Sequence, residues 1–177
     1  MSRYITLLLF IGLAWGQNGY KIKHIVDQDS VYKKKFSDEI VNGNIYQMTD
    51  EMKVPLGKMK NGKKDGLWTE WYPNKRKLEE TYKHGMLDGS VSLYYTTGQK
   101  EWRHTYNNGQ FEGLWTYWYE NGQKMREGNF MCGDSTGKWI WWDKNGCVEK
   151  EKIYKNRKNA IWENYNEYVL IEVVTEP

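Results

Sequence analysis

The chain has 177 residues, of which 16% are aromatic and ten are tryptophan, so it is too rich in core-forming side chains to be a disordered linker. Charged residues make up 28% with their signs interspersed, and the formal net charge is only +3. This weak charge argues against a nucleic-acid partner, and the short run Lys33, Lys34 and Lys35 is interpreted as a solvated strand face.

The N-terminus has the pattern of a secretory signal. Arg3 is its only charge, residues 5–13 are apolar, and Ala14 and Gly16 provide small residues at the −3 and −1 positions of a cleavage site. We therefore expect a signal peptide over residues 1–16, cleaved after Gly16, and a periplasmic or secreted product. The apolar run is too short to span a bilayer. No transmembrane segment is expected in the mature chain.

Residues 17–42 are predicted to be N-terminal lead strands. Residues 20–26 alternate polar and apolar side chains, which favours one strand, and residues 31–36 favour another. Gly43 lies 23 residues before Gly66 and opens a degenerate first repeat. Pro55 argues against a central strand within that repeat.

A hairpin-like unit then recurs, opened by Gly66, Gly89, Gly113 and Gly137 with spacings of 23, 24 and 24 residues. Eight residues after each opening glycine comes a turn, of which Asn121-Gly122 is the strongest signal, because a type I′ turn needs positive φ at both central residues. The glycines assigned to structural turns are Gly66, Gly89, Gly98, Gly113, Gly122, Gly137 and Gly146.

The unit at residues 113–137 allows a register to be predicted. A two-residue loop at Asn121-Gly122 would place Trp118 opposite Met125, Thr116 opposite Glu127, and Tyr117 opposite Arg126. The turn at Pro73 is read as one residue shorter than the others, which leaves the register of the first hairpin open.

A fixed period of this length indicates a repeat architecture. The predicted fold is all-β, an elongated open antiparallel β-meander of consecutive hairpins of about 23–24 residues. The repeat array is assigned to residues 43–162, where Ala160 and Trp162 restart the pattern, and residues 163–177 to a C-terminal capping strand.

Residues 65–72, 82–89 and 112–124 carry the pattern DG-x-W-T-x-W-Y-x-N-G-Q-K followed by G-x-x-x-G. This pattern resembles the bacterial variant of the MORN repeat, found in proteins described as YwqK-family antitoxin-like. The resemblance implies a sheet of hairpins that binds a protein or a membrane surface and does not act as a catalyst. A cytoplasmic antitoxin role conflicts with the predicted signal peptide. Aromatic choline-binding and cell-wall-binding repeats are a looser match, since they repeat at about 20 residues.

The repeat predicts two aromatic columns on opposite sheet faces, because residues two and five positions after each opening glycine alternate in direction. One face is expected to form the core and the other an exposed platform. Two cation–π pairs are predicted, Tyr117 with Arg126 and Tyr119 with Lys124. The candidate binding residues are Trp68, Trp115, Tyr117, Tyr119, Trp139, Trp141 and Arg126.

No chemistry-bearing motif emerges from the sequence. His24, His84 and His104 belong to no catalytic set that the repeat would assemble. Cys132 and Cys147 lack metal-ligand spacing and are expected at opposite edges of the sheet, too far apart for a disulfide. We therefore expect no enzyme, no catalytic residue, no metal and no cofactor.

The expected function is an exported, non-enzymatic repeat protein, an antitoxin-like or immunity-like scaffold that binds a protein or cell-envelope partner through an aromatic sheet face. One alternative is a cell-wall or glycan-binding module that stacks sugars on Trp and Tyr. Another alternative is binding to phospholipid head groups at a membrane surface.

Overall fold

The computed structural model describes residues 19–49, 52–155 and 171–173. The predicted signal peptide and the pattern at Ala160 and Trp162 lie outside these residues. The chain divides into two compact units, residues 1–69 and residues 70–177. This division falls inside the predicted repeat array rather than at its start.

The first unit contains short strands and one 3₁₀ turn, Ile22–His24. Its strands are β1 Gly19–Lys21, β2 Ile25–Gln28, β3 Val31–Lys34, β4 Gly43–Met48 and β5 Lys53–Lys60. The next strand, β6 Lys63–Trp71, contains the division between the units.

Every described element of the second unit is a strand. They are β7 Lys77–Lys83, β8 Met86–Tyr94, β9 Lys100–Asn107, β10 Gln110–Phe111, β11 Gly113–Trp118, β12 Lys124–Met131, β13 Asp134–Trp142, β14 Val148–Tyr154 and β15 Ile171–Val173. The last of these lies within the β-rich run predicted to cap the array.

The lead segment differs from its prediction. Residues 20–26 do not form one strand, because the 3₁₀ turn redirects the chain: β1 pairs parallel with β4, whereas β2 pairs antiparallel with β3. A single straight strand could not pair with both. The second predicted strand ends at Lys34, and Phe36 has a φ of 61° and a fully exposed side chain.

Pro55 lies within strand β5, contrary to the expectation from the sequence. It is opposite Tyr46 of β4, next to an irregularity in the register. The pairing of β5 with β6 runs over Lys58–Lys60. Pro55 lies outside that paired stretch, so the missing proline N–H removes no hydrogen bond from it.

The second unit confirms the predicted all-β arrangement of consecutive hairpins. Its strands follow the order β7-β8-β9-β11-β12-β13-β14-β15, and each neighbouring pair is antiparallel. The short β10 pairs only with β9. The hairpin of β11 and β12 has Thr116 opposite Glu127 and Tyr117 opposite Arg126, as predicted.

The predicted type I′ turn at Asn121-Gly122 is wrong. Tyr119 N–H donates to Gln123 C=O (2.8 Å) and Gly122 N–H donates to Tyr119 C=O (2.9 Å), which closes a three-residue loop. Gly122 has a φ of 85°, but Asn121 is not among the described residues with positive φ. This is a type I turn followed by a glycine bulge. The extra loop residue shifts the register, so Trp118 lies opposite Lys124 rather than Met125, and an irregularity between Tyr117 and Trp118 then restores the predicted pairs.

The same hydrogen bonds close the turns that begin at Tyr72, Tyr95 and Asp143. The turn at Pro73 therefore has the same length as the others, and the expectation that it is shorter is wrong. Lys75 occupies the bulge position there with a φ of 64°. The residue missing from this repeat lies in the returning strand, since Tyr82 follows Lys75 by seven residues whereas Tyr106 follows Gly98 by eight.

Type I′ geometry occurs at the other end of the hairpins. His84-Gly85, Asn108-Gly109 and Cys132-Gly133 all have positive φ at both residues. The acidic residue before an opening glycine accepts a backbone N–H from the following type I′ turn, with Asn108 N–H donating to Asp88 (3.3 Å) and Cys132 N–H donating to Glu112 (2.9 Å).

The opening glycines lie in strands rather than turns. Gly66, Gly89, Gly113 and Gly137 belong to β6, β8, β11 and β13, with φ values of 77°, 114°, 69° and 65°. Such values need glycine within a strand and mark local distortions of the ladder. The structural role predicted for these residues stands, but it is not that of a turn.

Three tryptophans are buried by one repeated device. Trp68, Trp115 and Trp139 are 5%, 8% and 6% exposed. Each indole N–H donates to the carbonyl ten residues earlier, at Lys58 (3.0 Å), Thr105 (3.4 Å) and Asn129 (3.3 Å). The rings of Trp68 and Trp139 lie on Gly57 and Gly128, where an added Cβ would come within 2.5 Å and 2.0 Å of ring atoms.

Candidate binding face

The strand register of the second unit places a continuous row of side chains on one sheet face. Leu93 lies opposite Trp102, Trp102 opposite Tyr117, Tyr117 opposite Arg126, and Arg126 opposite Trp141. Residues directly opposite one another on neighbouring strands share a face. We call this face, with its row Leu93, Trp102, Tyr117, Arg126 and Trp141, the aromatic face.

A second row forms the floor of the aromatic face, two residues away along each strand. It contains Val91, His104, Trp115 and Gly128. Val91, His104 and Trp115 are buried, and the ring of Trp139 covers Gly128. All four positions of this row are therefore buried.

Burial removes three residues from the predicted binding platform. Trp115 and Trp139 pack into the floor of the second unit, and Trp68 is buried in the first unit against Gly57. The expectation that these three indoles are exposed for a partner is wrong, because a single sheet has no second layer and must bury its largest rings against its own neighbouring strands.

The upper row keeps its side chains partly accessible. Trp102, Tyr117, Arg126 and Trp141 are all half-buried. The guanidinium carbon of Arg126 lies 3.8 Å from the centre of the Tyr117 ring, which confirms the predicted cation–π pair. Arg126 Nε is buried and has no hydrogen-bond partner among the described residues.

His104 occupies the middle of the floor and stacks between two indoles. Its ring centre is 3.6 Å from that of Trp115 and 4.2 Å from that of Trp102, at 12° to each ring plane. Burial, with a smaller contribution from the charge of Arg126, lowers the pKa of His104 to about 4. The imidazole is therefore neutral near pH 7.

Ring contacts continue along the floor towards the two-residue type I′ turns, which we call the short turns; the three-residue loops at the other end of the hairpins are the long turns. The ring centre of Phe130 lies 4.3 Å from that of Trp115 and 5.3 Å from that of Trp139. The ring centre of Phe111 lies 4.4 Å from that of Trp115. Burial also raises the pKa of the Tyr106 hydroxyl, which keeps that group neutral. The upper row thus rests on a closely packed aromatic layer.

The opposite face of the same sheet carries the second predicted column, Tyr94, Trp118 and Trp142. Here charges are paired: Lys77 with Glu79 (2.8 Å), Lys124 with Glu127 (2.7 Å) and Lys138 with Glu151 (2.7 Å). Tyr94 donates to Glu79 (2.6 Å), and burial followed by this bond raises the Tyr94 pKa to about 12. We call this the charged face.

The second predicted cation–π pair is wrong. Lys124 lies opposite Trp118 and pairs with Glu127 on the charged face. Tyr119 reaches the neighbouring long turn instead, where its hydroxyl donates to Trp142 C=O (3.0 Å) and its ring lies 6.0 Å from Lys144 Nζ. The three-residue loop with its bulge at Gly122 separates the two partners, because it places Tyr119 opposite Gln123. Tyr119 thus joins neighbouring turns.

The histidines lie in three different settings. His24 is exposed in the 3₁₀ turn, His84 is exposed in a short turn, and His104 is buried. Within residues 19–49 and 52–155, no group of three or more His, Cys, Asp and Glu side chains is arranged to hold a metal ion. The chemistry that Trp102, Tyr117, Arg126 and Trp141 offer on the aromatic face is apolar contact, ring stacking and a guanidinium charge.

Trp102 and His104 were not identified from the sequence. Both lie on β9, the second strand of its hairpin, whereas the two predicted columns run through the first strand of each hairpin. A signal was present, since Trp102, Arg126 and Lys150 are spaced by 24 residues, and the register places them in one row. His104 and Gly128 are related by the same period.

Comparison with known proteins identifies the repeat. Residues 64–84, 111–131 and 135–156 match the family model of the MORN repeat variant. No curated protein matches the chain. Among the described residues, no helix has the length and apolar character needed to cross a membrane. The hairpin of β11 and β12 and the hairpin of β13 and β14 thus coincide with segments that match the MORN repeat variant.

Proposed function

We propose that this protein is an exported, non-enzymatic binding protein, and that the upper row of the aromatic face contacts a protein or cell-envelope partner. The residues assigned to contact are Trp102, Tyr117, Arg126 and Trp141. The buried tryptophans support these residues from below. The finer assignment, to bacterial YwqK-family antitoxin-like proteins acting as immunity-like scaffolds, belongs to this proposal and is supported by the MORN repeat variant.

One observation carries the proposal. All described strands of the second unit belong to one sheet, so the described residues of that unit form no second layer over the upper row. Half-buried Trp, Tyr and Arg side chains on a rigid base are the residue types that dominate binding energy at protein interfaces. The charged face also carries half-buried Tyr94, Trp118 and Trp142, but its Lys and Glu side chains are paired with each other.

Two neighbouring tryptophans give a matched test. Trp141 and Trp142 follow one another on β13, and both are half-buried, but they point to opposite faces. The full mature chain would be cross-linked in a cell-envelope extract and the products identified by mass spectrometry. Trp141→Ala should lose at least tenfold in cross-linking to the partner, whereas Trp142→Ala should keep it. Equal effects of the two substitutions would contradict the assignment of the aromatic face.

The same pair of variants separates the alternative ligands. Tryptophan fluorescence would be followed during titration with soluble peptidoglycan fragments and, separately, with vesicles of anionic phospholipid. Saturable quenching by the fragments that Trp141→Ala removes would favour a glycan ligand. Binding to vesicles alone would favour a membrane surface. In either case the protein-partner proposal would be replaced.

Export is a separate part of the proposal and rests on Arg3, the apolar residues 5–13 and the small residues Ala14 and Gly16. N-terminal sequencing of the protein from its native compartment should begin at Gln17. A chain that keeps Met1 in a cytoplasmic fraction would contradict export and would favour a cytoplasmic antitoxin role.

A further inference from the structure

The stack formed by Trp102, His104 and Trp115 contains a titratable side chain, His104, at a position where other repeats have glycine. His104 lies eleven residues before Trp115, and at the same spacing before Trp68 and Trp139 the chain has Gly57 and Gly128. The imidazole is only 8% exposed, and its Nε2 atom is buried without a hydrogen-bond partner in the described part of the chain.

The indole faces of Trp102 and Trp115 attract a cation, but the other groups that face His104 offer little support for a positive charge. Strand β8 contributes the apolar Val91 and Leu93, β11 contributes Tyr117, and β12 contributes the cation Arg126. On β9 itself, Tyr106 has a raised pKa and stays neutral. The anion of this row, Glu80, lies opposite Val91 and is thus two strand spacings, about 10 Å, from His104.

We propose that this stack makes the aromatic face acid-sensitive. The rings of the face stay packed while His104 is neutral, and this packing is lost when His104 takes up a proton. The inference goes beyond the proposed function, because it concerns the stability of the face whatever it binds. Its basis is the geometry of a buried, stacked imidazole without an acceptor for a second N–H.

The direction of the effect follows from the two protonation states. An imidazolium in this position would lose its hydration, leave the Nε2–H without an acceptor and lie near Arg126. The folded state therefore binds the proton less readily than the unfolded state does. Stability from this group is complete above the ordinary histidine pKa of 6.5 and is lost as the pH falls towards the folded value of about 4.

The test compares the wild-type full chain with His104→Phe, which keeps a flat ring between the indoles and cannot titrate. Urea unfolding would be followed by near-ultraviolet circular dichroism, which reports aromatic packing. Between pH 7.5 and pH 5 the unfolding constant of the wild type should rise about 25-fold from this residue. Contributions from Glu79 and Asp143, whose pKa values are lowered, are common to both proteins and cancel in the comparison.

The matched control is His84→Asn, in an exposed short turn where His84 has a φ of 54°, which Asn tolerates. This variant should keep the full pH dependence of the wild type, and His104→Phe should lose most of it. The same pH dependence in wild type and His104→Phe would overturn the proposal.

A second measurement decides the matter if His104→Phe does not fold. The chain has three histidines, so His24→Gln and His84→Asn identify the His104 ring signals by elimination in a nuclear magnetic resonance titration. The His104 signals should remain those of a neutral ring down to pH 5, with line broadening below that pH as the face opens. Titration of this ring with a midpoint near 6.5 in the folded protein would also overturn the proposal.

Discussion

Glycine is needed beneath two of the buried tryptophans because the indole ring occupies the space of a side chain. An added Cβ at Gly128 would lie 2.0 Å from the Cδ2 atom of Trp139, and one at Gly57 would lie 2.5 Å from Trp68. Neither glycine has a positive φ, so the requirement is steric rather than conformational. The third buried tryptophan, Trp115, stacks on the flat ring of His104 instead.

We therefore predict that Gly128→Ala destabilises the protein by about 1–3 kcal/mol, the usual cost of overpacking. Urea unfolding of the variant should show a lower midpoint with an unchanged slope. Asn129→Ala is the control, since its side chain is exposed on the next residue of the strand. A midpoint for Gly128→Ala equal to that of the control would mean that Trp139 can move away at no cost.

At the scale of the element, the two ends of each hairpin use different turns. The Asn-Gly pair led to a predicted type I′ turn, but the chain uses a three-residue loop with a bulge there and type I′ turns at the other end. The sequence could not separate these two cases, because both need a residue with positive φ at the glycine position. The three-residue loop displaces Trp118 by one residue, and a second irregularity, between Tyr117 and Trp118, restores the predicted pairing of Tyr117.

Exchanging lysine and glycine at the bulge position, beginning with Lys75, tests whether the long turns share one backbone geometry. It has a φ of 64° where Gly98, Gly122 and Gly146 stand in the other long turns. A residue with a Cβ pays about 1–2 kcal/mol in this conformation, partly offset by the greater chain entropy of glycine in the unfolded state. Lys75→Gly should therefore raise the free energy of unfolding by about 0.5–1 kcal/mol.

The reciprocal substitution is Gly98→Lys, which should lower the free energy of unfolding by about 1 kcal/mol. No atom lies within 4 Å of a Cβ built at Gly98, so the effect would come from the backbone alone. Thermal unfolding of both variants would give the two signs. The same sign for both variants would contradict the shared loop geometry.

The period of the sequence predicted the strands and their hydrogen-bonded partners far better than it predicted exposure. Thr116 and Glu127 form the predicted pair because the irregularity between Tyr117 and Trp118 compensates for the extra residue in the loop. The burial of Trp115 and Trp139 could not be predicted from alternation, because both faces of this sheet carry aromatic residues in the sequence pattern. Burial on one face depends on the aromatic rings and glycines of neighbouring strands, against which the indoles pack.

At the scale of the whole molecule, the two faces of the second unit have unlike chemistry. The charged face pairs its Lys and Glu side chains in the manner of an ordinary solvated sheet. The aromatic face places half-buried Trp, Tyr and Arg above a stacked floor. A partner that binds one face would thus meet rings and a guanidinium group, whereas a partner that binds the other would have to break ion pairs.

The cysteines test the strand arrangement across a full hairpin. Cys132 and Cys147 are both free and exposed. Cys132 lies in the short turn before β13, and Cys147 closes the long turn after it. The nine residues of β13 therefore separate them, by about 30 Å at ~3.3 Å per residue. A disulfide needs Cα atoms within ~7 Å of one another.

We predict that the two thiols do not form a bond within one molecule, even in an oxidising compartment. Mass spectrometry of the non-reduced monomer, after alkylation and proteolysis, should show both cysteines alkylated on separate peptides. Dimers that disappear on reduction would be compatible with the structure, because both thiols are exposed. A peptide bridged between Cys132 and Cys147 in the monomer would require β13 to fold back on itself, and the antiparallel order of β12, β13 and β14 would then be wrong.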